Sequence, residues 1–217
     1  ILTTGGKSYP GCGTTGDGYH WLAQLGHTIR RPRPALVPLT CDDAWVRDLK
    51  GITIPEVLLR VVDPSSDEPS KGKRRRSGLP PGVLIERRGA MLFTHFGLSG
   101  PAVLDISRAI TAAAEPRKLV LMVDFFPDAD AAKIERQLRQ IAAEEGKRQV
   151  AGVVADRLPR RLADSILIRA EISPDRRAAD LSAPERGRLI NHMKRCGTTI
   201  TCRPRLAQGE LLAGGWS

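Results

Sequence analysis

The sequence predicts a mixed α+β protein in which an antiparallel, barrel-like β region precedes a region of short helices. Strand candidates between residues 52 and 94 follow one another without long helices between them, which favours an antiparallel sheet or a small barrel. Apolar residues then recur at helical spacing between residues 128 and 193. A strand-like start that runs into a glycine-rich loop and a helical pattern opens the chain.

Residues 1–26 carry that opening pattern of strand, loop and helix. Glycine recurs from Gly5 and Gly6 onwards, interleaved with aromatic residues, which a purely flexible linker would lack. A helix is predicted to begin near Asp17, whose carboxylate can cap the first turn, and to end at Gly26. This unit lets a backbone approach a nucleotide closely, but the spacing is not G-x-G-x-x-G, and turns that simply need positive φ angles are the alternative.

The β region is predicted from three segments. Residues 52–62 nearly alternate apolar with polar side chains, and residues 83–94 are predicted to form a hairpin that turns at Gly89. An uninterrupted apolar run over residues 118–124 indicates a strand buried on both faces. The polar, proline-containing stretch before residue 83 is typical of an exposed loop and carries the basic block at 71–76.

Helices are predicted on both sides of the 118–124 strand. Pro101, with Ser99 or Gly100 as its cap, indicates a helix before the 118–124 strand. Further helices are predicted from about 131 to 145, from 150 to 158, around 162–166, and after Ser182, which forms a capping box with Glu185. Residues 198–202 and those near 211 return to strand character, and the two strands at the chain ends are predicted to need partners, which they could find in each other.

His95 is the candidate catalytic residue, because it is predicted to lie in a loop between a strand and a helix. An imidazole can protonate a carbonyl or amine substrate near neutral pH. The alternative is that His95 orders its loop by hydrogen bonding to the backbone.

The net charge and the cysteine content limit the classes of function that the sequence allows. The net charge is +10, and arginines in the helical region leave open a basic module that binds nucleic acid, although a dedicated nucleic-acid surface is not favoured. The four cysteines form no C-x-x-C pair and no histidine lies at ligand spacing, so no metal site is expected and the thiols are predicted to be reduced, as in a cytoplasmic protein. No apolar run is long enough to span a membrane.

Several unusual strings occur in one order: TTGGKSYPGCGTTGDGY, PALVPL, a W-x-x-x-L-x-G segment from Trp45 to Gly51, LFTHFGLSGPAVLDISR and a terminal AGGWS. Together they resemble the aminoacetone-oxidase-like (YhiN-type) family of bacterial NAD(P)/FAD-dependent flavoproteins. The resemblance covers nearly the whole chain. It implies a partial Rossmann-like FAD-binding segment at 1–35, an inserted β-rich, barrel-like domain at 36–124, an inserted helical domain at 125–196, and a return strand at 197–217.

The resemblance also implies a function: an FAD-dependent oxidoreductase that acts on a small organic substrate, with NAD(P)H as a reductant. The cofactor contacts that it implies are Thr4, Gly5, Gly6, Gly214 and Gly215. The family's amino-terminal dinucleotide fingerprint and carboxy-terminal flavin segment have no counterpart in this sequence. We therefore expect the chain to be a middle fragment that binds FAD weakly or not at all and is inactive alone; a truncated, non-functional product is a further alternative.

Overall fold

The computed structural model describes residues 3–8, 13–30, 32–67, 79–201 and 211–213. The helices of this part are α1 (Asp17–Gln24), α2 (Ala44–Asp48), α3 (Pro101–Ala112), α4 (Ala131–Glu144), α5 (Val150–Ala155), α6 (Arg160–Arg169) and α7 (Ala183–Lys194). The strands are β1 (Arg33–Ala35), β2 (Leu39–Thr40), β3 (Thr53–Val62), β4 (Val83–Thr94), β5 (Gly97–Ser99), β6 (Val120–Asp124), β7 (Cys196–Thr199) and β8 (Leu211–Ala213).

Six of these strands form one antiparallel sheet in the order β2-β5-β4-β3-β6-β7. Its two edges meet, because the backbone N–H of Thr201, just beyond β7, donates to the carbonyl of Thr40 in β2 at 2.9 Å. The Thr201 hydroxyl donates to the same carbonyl at 3.2 Å. Closing the sheet in this way removes the free edges that would otherwise expose unpaired backbone groups. The predicted barrel-like antiparallel region is confirmed.

The interior of the barrel is filled by alternate side chains of its strands. In β3, Val57, Leu59 and Val61 are fully buried, while the residues between them lie towards the outside. Helix α3 packs on the barrel with the predicted stripe, since Val103, Ile106 and Ile110 have no exposed surface. Burial of such apolar surface is the main stabilising contribution to this fold.

The predicted hairpin at residues 83–94 is wrong. These residues form the single strand β4, and the chain reverses at the turn of His95 and Phe96 before β5. Val57 of β3 pairs with Gly89 and Ile54 pairs with Met91, so β3 has one more residue than β4 between these pairs. The bulge therefore lies in β3, and β4 continues past Gly89 without reversing. Gly89 has φ +155°, and a Cβ there would lie 3.5 Å from that of Ala102, so α3 packs directly against β4 at this residue.

Helices α4 to α7 lie between β6 and β7 in the chain, and the predicted helical region is present. The Asp130 carboxylate caps α4 by accepting from the Lys133 N–H at 2.6 Å. The predicted capping box of α7 is formed in full by Ser182 and Glu185. Together with the barrel these elements confirm a mixed fold with an antiparallel sheet; the residue numbers of the domain boundaries stay a prediction.

An ion pair between Lys194 and Asp124 connects α7 to the end of β6. Lys194 Nζ lies 2.6 Å from Asp124 Oδ2 and also donates to the carbonyls of Phe126 and Ala129, at 2.7 and 2.6 Å. Asp124 is 3% exposed, and its other carboxylate oxygen accepts from the Phe126 N–H at 2.9 Å. Every donor and acceptor of the pair is therefore used, which a buried charge requires.

The ends of the described chain differ in detail from the predictions. Strand β8 pairs antiparallel with β1, so the strand near 211 has a partner at residues 33–35, while residues 1 and 2 at the chain start lie outside the described residues. Helix α1 begins at Asp17, but its N-cap is Gly16 with φ +85°, and the Asp17 carboxylate accepts from the Thr15 hydroxyl at 2.6 Å without capping the helix. Gly100 caps α3 without a side chain, and Ser99 belongs to β5.

Candidate functional site

The amino-terminal glycine loop packs against the start of α1. A Cβ on Gly18 would lie 2.3 Å from the Thr4 hydroxyl oxygen, and a Cβ on Gly16 would overlap the aliphatic chain of Lys7. These two glycines are thus explained by contacts inside the chain. Gly5, with φ +72°, needs its conformation for the turn itself.

Thr4, Gly5 and Gly6 fit a cofactor better than the glycines at 16 and 18 do. Thr4 and Gly5 are exposed, and Gly6 is half-buried. A Cβ on Gly6 would lie 3.4 Å from the Tyr19 hydroxyl, an ordinary contact distance. The backbone of this turn is therefore more accessible than that of Gly16 and Gly18, which are covered by Lys7 and Thr4; its contact with a cofactor stays a prediction. Gly214 and Gly215 lie outside the described residues.

His95 lies at the tip of the β4–β5 hairpin and not, as predicted, between a strand and a helix. Its exposed ring meets that of Phe96 edge to face, with centroids 4.9 Å apart. The turn is held by other groups: the Thr94 hydroxyl donates to the Gly97 carbonyl at 3.0 Å, and the Cys41 N–H donates to the Phe96 carbonyl at 3.1 Å. The imidazole makes no hydrogen bond to the described residues, and its catalytic role stays a prediction.

The structure does not join the two predicted parts of the site. Among the described residues, no hydrogen bond, ion pair or ring contact links the 3–8 loop to His95. A cluster of at least three metal-ligating side chains is also absent from this part of the chain. No helix among the described residues is both long and apolar enough to cross a membrane.

A polar junction between the barrel and the helices was not predicted. Asp43 occupies the N-cap position of α2, yet its carboxylate does not cap that helix. It accepts instead from the hydroxyls of Thr198 and Thr199 and from the Thr199 N–H, the last at 2.9 Å. These bonds tie the start of α2 to β7, which directly follows the helical region.

Arg169, at the end of α6, completes this junction. Its guanidinium carbon lies 4.6 Å from the centroid of the Trp45 ring, and its Nη2 donates to the Gly197 carbonyl at 3.3 Å. Three buried nitrogens have no hydrogen-bond partner among the described atoms, namely Trp45 Nε1, Arg169 Nε and His192 Nδ1. Burial, with the positive charge of Arg169, lowers the pKa of His192, so this imidazole stays neutral near pH 7.

The Asp43 carboxylate is stabilised in its charged form. Burial alone would raise its pKa, but the hydrogen bonds from Thr198 and Thr199 and the charge of Arg169 outweigh burial and hold the pKa below its usual range. A carboxyl group with a lowered pKa in the folded state adds stability above the pKa of the unfolded chain. That stability is lost as the pH falls through the folded-state pKa.

We expect Asp43→Asn to lower the free energy of unfolding by about 1–2 kcal/mol at pH 7, because the hydrogen bonds lose a charged acceptor. Urea unfolding at several pH values measures this. The difference from the wild type should shrink as the pH falls below about 4, where the carboxyl group of the unfolded wild type becomes protonated while that of the folded state is still charged. A difference that stays constant down to the lowest accessible pH would rule out the charged state as its cause.

The two described cysteines are buried and inert. Burial raises the pKa of the Cys41 thiol to about 12, opposed by a hydrogen bond with Thr198. Burial likewise raises the pKa of Cys196 to about 11, although Arg169 opposes it. Since the thiolate is the nucleophile, neither group is suited to covalent catalysis.

We expect Cys41 and Cys196 to resist iodoacetamide at pH 8 in the folded protein and to react fully once urea unfolds it. Mass spectrometry of the labelled peptides distinguishes them from Cys12 and Cys202, which lie outside the described residues. Labelling of either buried thiol at the rate of a free peptide cysteine would contradict the burial described above.

Comparison with known proteins then gives the family. Residues 33–207 match the model of the HI0933-like protein barrel and H2TH domain. The chain belongs to the HI0933-like family. The barrel closed by Thr201 and Thr40 and the helices between β6 and β7 agree with that description.

Curated relatives of this HI0933-like chain are bacterial enzymes. The ribosomal RNA dihydrouridine synthase of Escherichia coli (strain K12) is 30% identical over 191 residues, which cover 88% of this chain and 41% of the relative. The enzyme of the same name from Haemophilus influenzae is 27% identical over 217 residues, or 99% of the chain and 47% of the relative. The 3-dehydro-bile acid delta(4,6)-reductase of Clostridium scindens is 24% identical over 216 residues, covering 99% and 49%.

The chain therefore spans about half the length of the curated relatives that it matches. The resemblance to YhiN-type flavoproteins inferred from the sequence is confirmed at the level of the family, which is one of FAD-dependent oxidoreductases.

Proposed function

We propose that this chain is the barrel-and-helix part of an FAD-dependent oxidoreductase that delivers a hydride to an unsaturated substrate. The match of residues 33–207 to the HI0933-like barrel and H2TH domain carries the proposal. The names of the relatives support it, since both a dihydrouridine synthase and a delta(4,6)-reductase are named for adding hydrogen to a double bond. Bound FAD would supply the hydride, and NAD(P)H would be its reductant.

The residues of this chain would bind the cofactor, orient the substrate and protonate it. The exposed backbone of Thr4, Gly5 and Gly6 would approach the cofactor, with Gly214 and Gly215 as further contacts. His95, exposed on a turn that other groups hold rigid, would donate the proton that accompanies hydride addition. The FAD-binding segment would be residues 1–35, the barrel 36–124, the helical domain 125–196 and the return strand 197–217.

A transplant tests this proposal directly. Residues 33–207 would replace the corresponding segment of the Escherichia coli ribosomal RNA dihydrouridine synthase, and the purified hybrid would be assayed for bound FAD and for NAD(P)H oxidation. We expect a yellow, folded hybrid that retains reductase activity and loses about tenfold or more of it in the His95→Ala form. A folded hybrid that holds FAD but never transfers a hydride would contradict the proposal.

The substrate has two candidates. A small organic molecule, as the relative from Clostridium scindens acts on, fits the resemblance drawn from the sequence. An RNA base is the second candidate, favoured by the names of the other two relatives and by the net charge of +10. Exposed basic side chains without an ion-pair partner among the described residues, such as Lys133, Arg136 and Arg177, would then contact phosphates.

Salt dependence distinguishes these candidates. If RNA is the substrate, a ribosomal RNA fragment should bind the chain, and its affinity should fall linearly with salt on a double-logarithmic plot. Replacing both Lys133 and Arg136 by glutamine should then flatten the slope by about one to two. Replacing the paired Arg160 by glutamine serves as the control. Absence of binding at low salt would leave the small molecule as the substrate.

A further inference from the structure

A small apolar cavity lies among α4, α5 and α7, and it includes none of the residues proposed for cofactor or proton transfer. Its volume is about 50 Å³. Its wall is almost wholly apolar and includes Ile134, Leu138, Ile141, Val153 and Met193. A water molecule inside would find few polar partners, so an apolar group fits this space better.

Arg157 is the one basic residue among the described residues that line this cavity. Arg157 is exposed, and its guanidinium carbon lies 5.2 Å from the centroid of the Phe126 ring, which also lines the cavity. Its one hydrogen bond to a described side chain is a long one, 3.4 Å, to the neutral amide of Gln137. The neighbouring carboxylate of Asp156 forms an ion pair with Arg148, whose Nη2 lies 2.5 Å from Asp156 Oδ1.

Arg157 is thus held in place by an aromatic ring and an amide while no carboxylate of the described chain neutralises it. A guanidinium is well suited to bind a carboxylate through two parallel hydrogen bonds. The cavity has room for about three to five carbon atoms, since roughly 10–15 Å³ of such space holds one water-sized group. The apolar wall, the small volume and the unpaired guanidinium together indicate a small ligand that has a short apolar tail and a carboxylate.

We propose that this cavity binds a short-chain aliphatic carboxylate of about four to six carbons, its tail between α4, α5 and α7 and its carboxylate on Arg157. The length of the ligand's tail distinguishes a free small acid from the acyl chain of a lipid. The small acid is favoured, because a longer tail would find no further apolar wall. The site goes beyond the proposed oxidoreductase activity, and its occupancy does not require FAD.

Calorimetric titration of the full chain with sodium hexanoate tests the proposal. We expect saturable binding with a Kd of about 1 mM or tighter, as a ligand of eight heavy atoms permits. Acetate should bind at least about tenfold more weakly because it lacks the tail, and decanoate should bind no better than hexanoate. Hexan-1-ol should also bind about tenfold more weakly because it lacks the charge.

Two variants locate the site. Arg157→Gln should weaken hexanoate binding about tenfold, whereas Arg160→Gln, which removes the same charge three residues away, should leave it unchanged. Ile141→Phe fills the cavity from its half-buried wall and should weaken binding to a similar extent, with circular dichroism confirming the fold. The proposal is overturned if hexanoate does not saturate the wild type, or if Arg157→Gln and Ile141→Phe bind it as the wild type does.

Discussion

Replacing Gly97 with alanine is expected to unfold the barrel. A Cβ at this position would lie 2.1 Å from the carbonyl oxygen of Leu39 and 2.8 Å from the Cys41 nitrogen. Both are backbone atoms of the segment that pairs with β5, and Gly97 itself has φ +150°, which side chains disfavour. Strand β2 would have to leave β5, so we expect a loss of more than about 4 kcal/mol in the free energy of unfolding. That loss is comparable with the whole stability of many domains.

Gly187→Ala is the matched control for this substitution. Gly187 lies within α7, and outside the neighbouring residues and backbone of that helix no described atom lies within 4 Å of the position that its Cβ would take. Alanine is the better helix former, so this variant should gain about 0.5–1 kcal/mol. Urea unfolding followed by circular dichroism measures both. If Gly97→Ala unfolds within about 1 kcal/mol of the wild type, the close contact of β5 with β2 is not present in solution.

Lys194→Met is expected to cost about 3–5 kcal/mol, because it leaves the Asp124 carboxylate charged, buried and without its cation. The substitution also removes the two hydrogen bonds to the carbonyls of Phe126 and Ala129, which join α7 to the segment before α4. Equilibrium unfolding in urea gives the difference. The helical region should become more susceptible to proteolysis, because α7 loses its attachment to β6.

Lys118→Met is the control for that variant, since its ion pair with Glu115 is exposed, with 62% of the Lys118 side chain accessible. An exposed pair contributes about 0–1 kcal/mol. Adding Asp124→Asn to Lys194→Met should recover part of the loss, because the unpaired charge is then gone. Equal costs for the two lysine variants would show that the buried pair does not anchor α7.

Local features of the fold could be predicted because their causes are local. The capping box of Ser182 and Glu185 and the apolar stripe of α3 each depend on residues within one or two helical turns. The reversal of the chain could not be predicted in the same way. Whether the chain turns at Gly89 or continues as a strand is decided by the pairing with β3 and by the contact with Ala102 of α3, and Gly89 alone is compatible with both outcomes.

The candidate cofactor contacts depend mainly on the resemblance, and they stay a prediction. Thr4, Gly5 and Gly6 lie in an unusual string that a family shares, and their spacing alone does not match G-x-G-x-x-G. Asp43 contacts Thr198 across 155 residues of chain, so no local pattern links them. The environment of Arg157 also arises only when α4, α5 and α7 have packed together.

Titration of FAD with the purified chain, followed by visible absorption, tests the central claim most directly. We expect a saturable change of the flavin bands with a Kd weaker than about 10 µM, because among the described residues the proposed contacts are limited to the turn of Thr4, Gly5 and Gly6. Gly5→Val should abolish the change, since a β-branched residue does not tolerate the positive φ of this turn. The Escherichia coli relative, titrated in parallel, is the reference. If the folded chain binds FAD and Gly5→Val binds it equally well, the proposed cofactor contacts at Thr4, Gly5 and Gly6 are wrong.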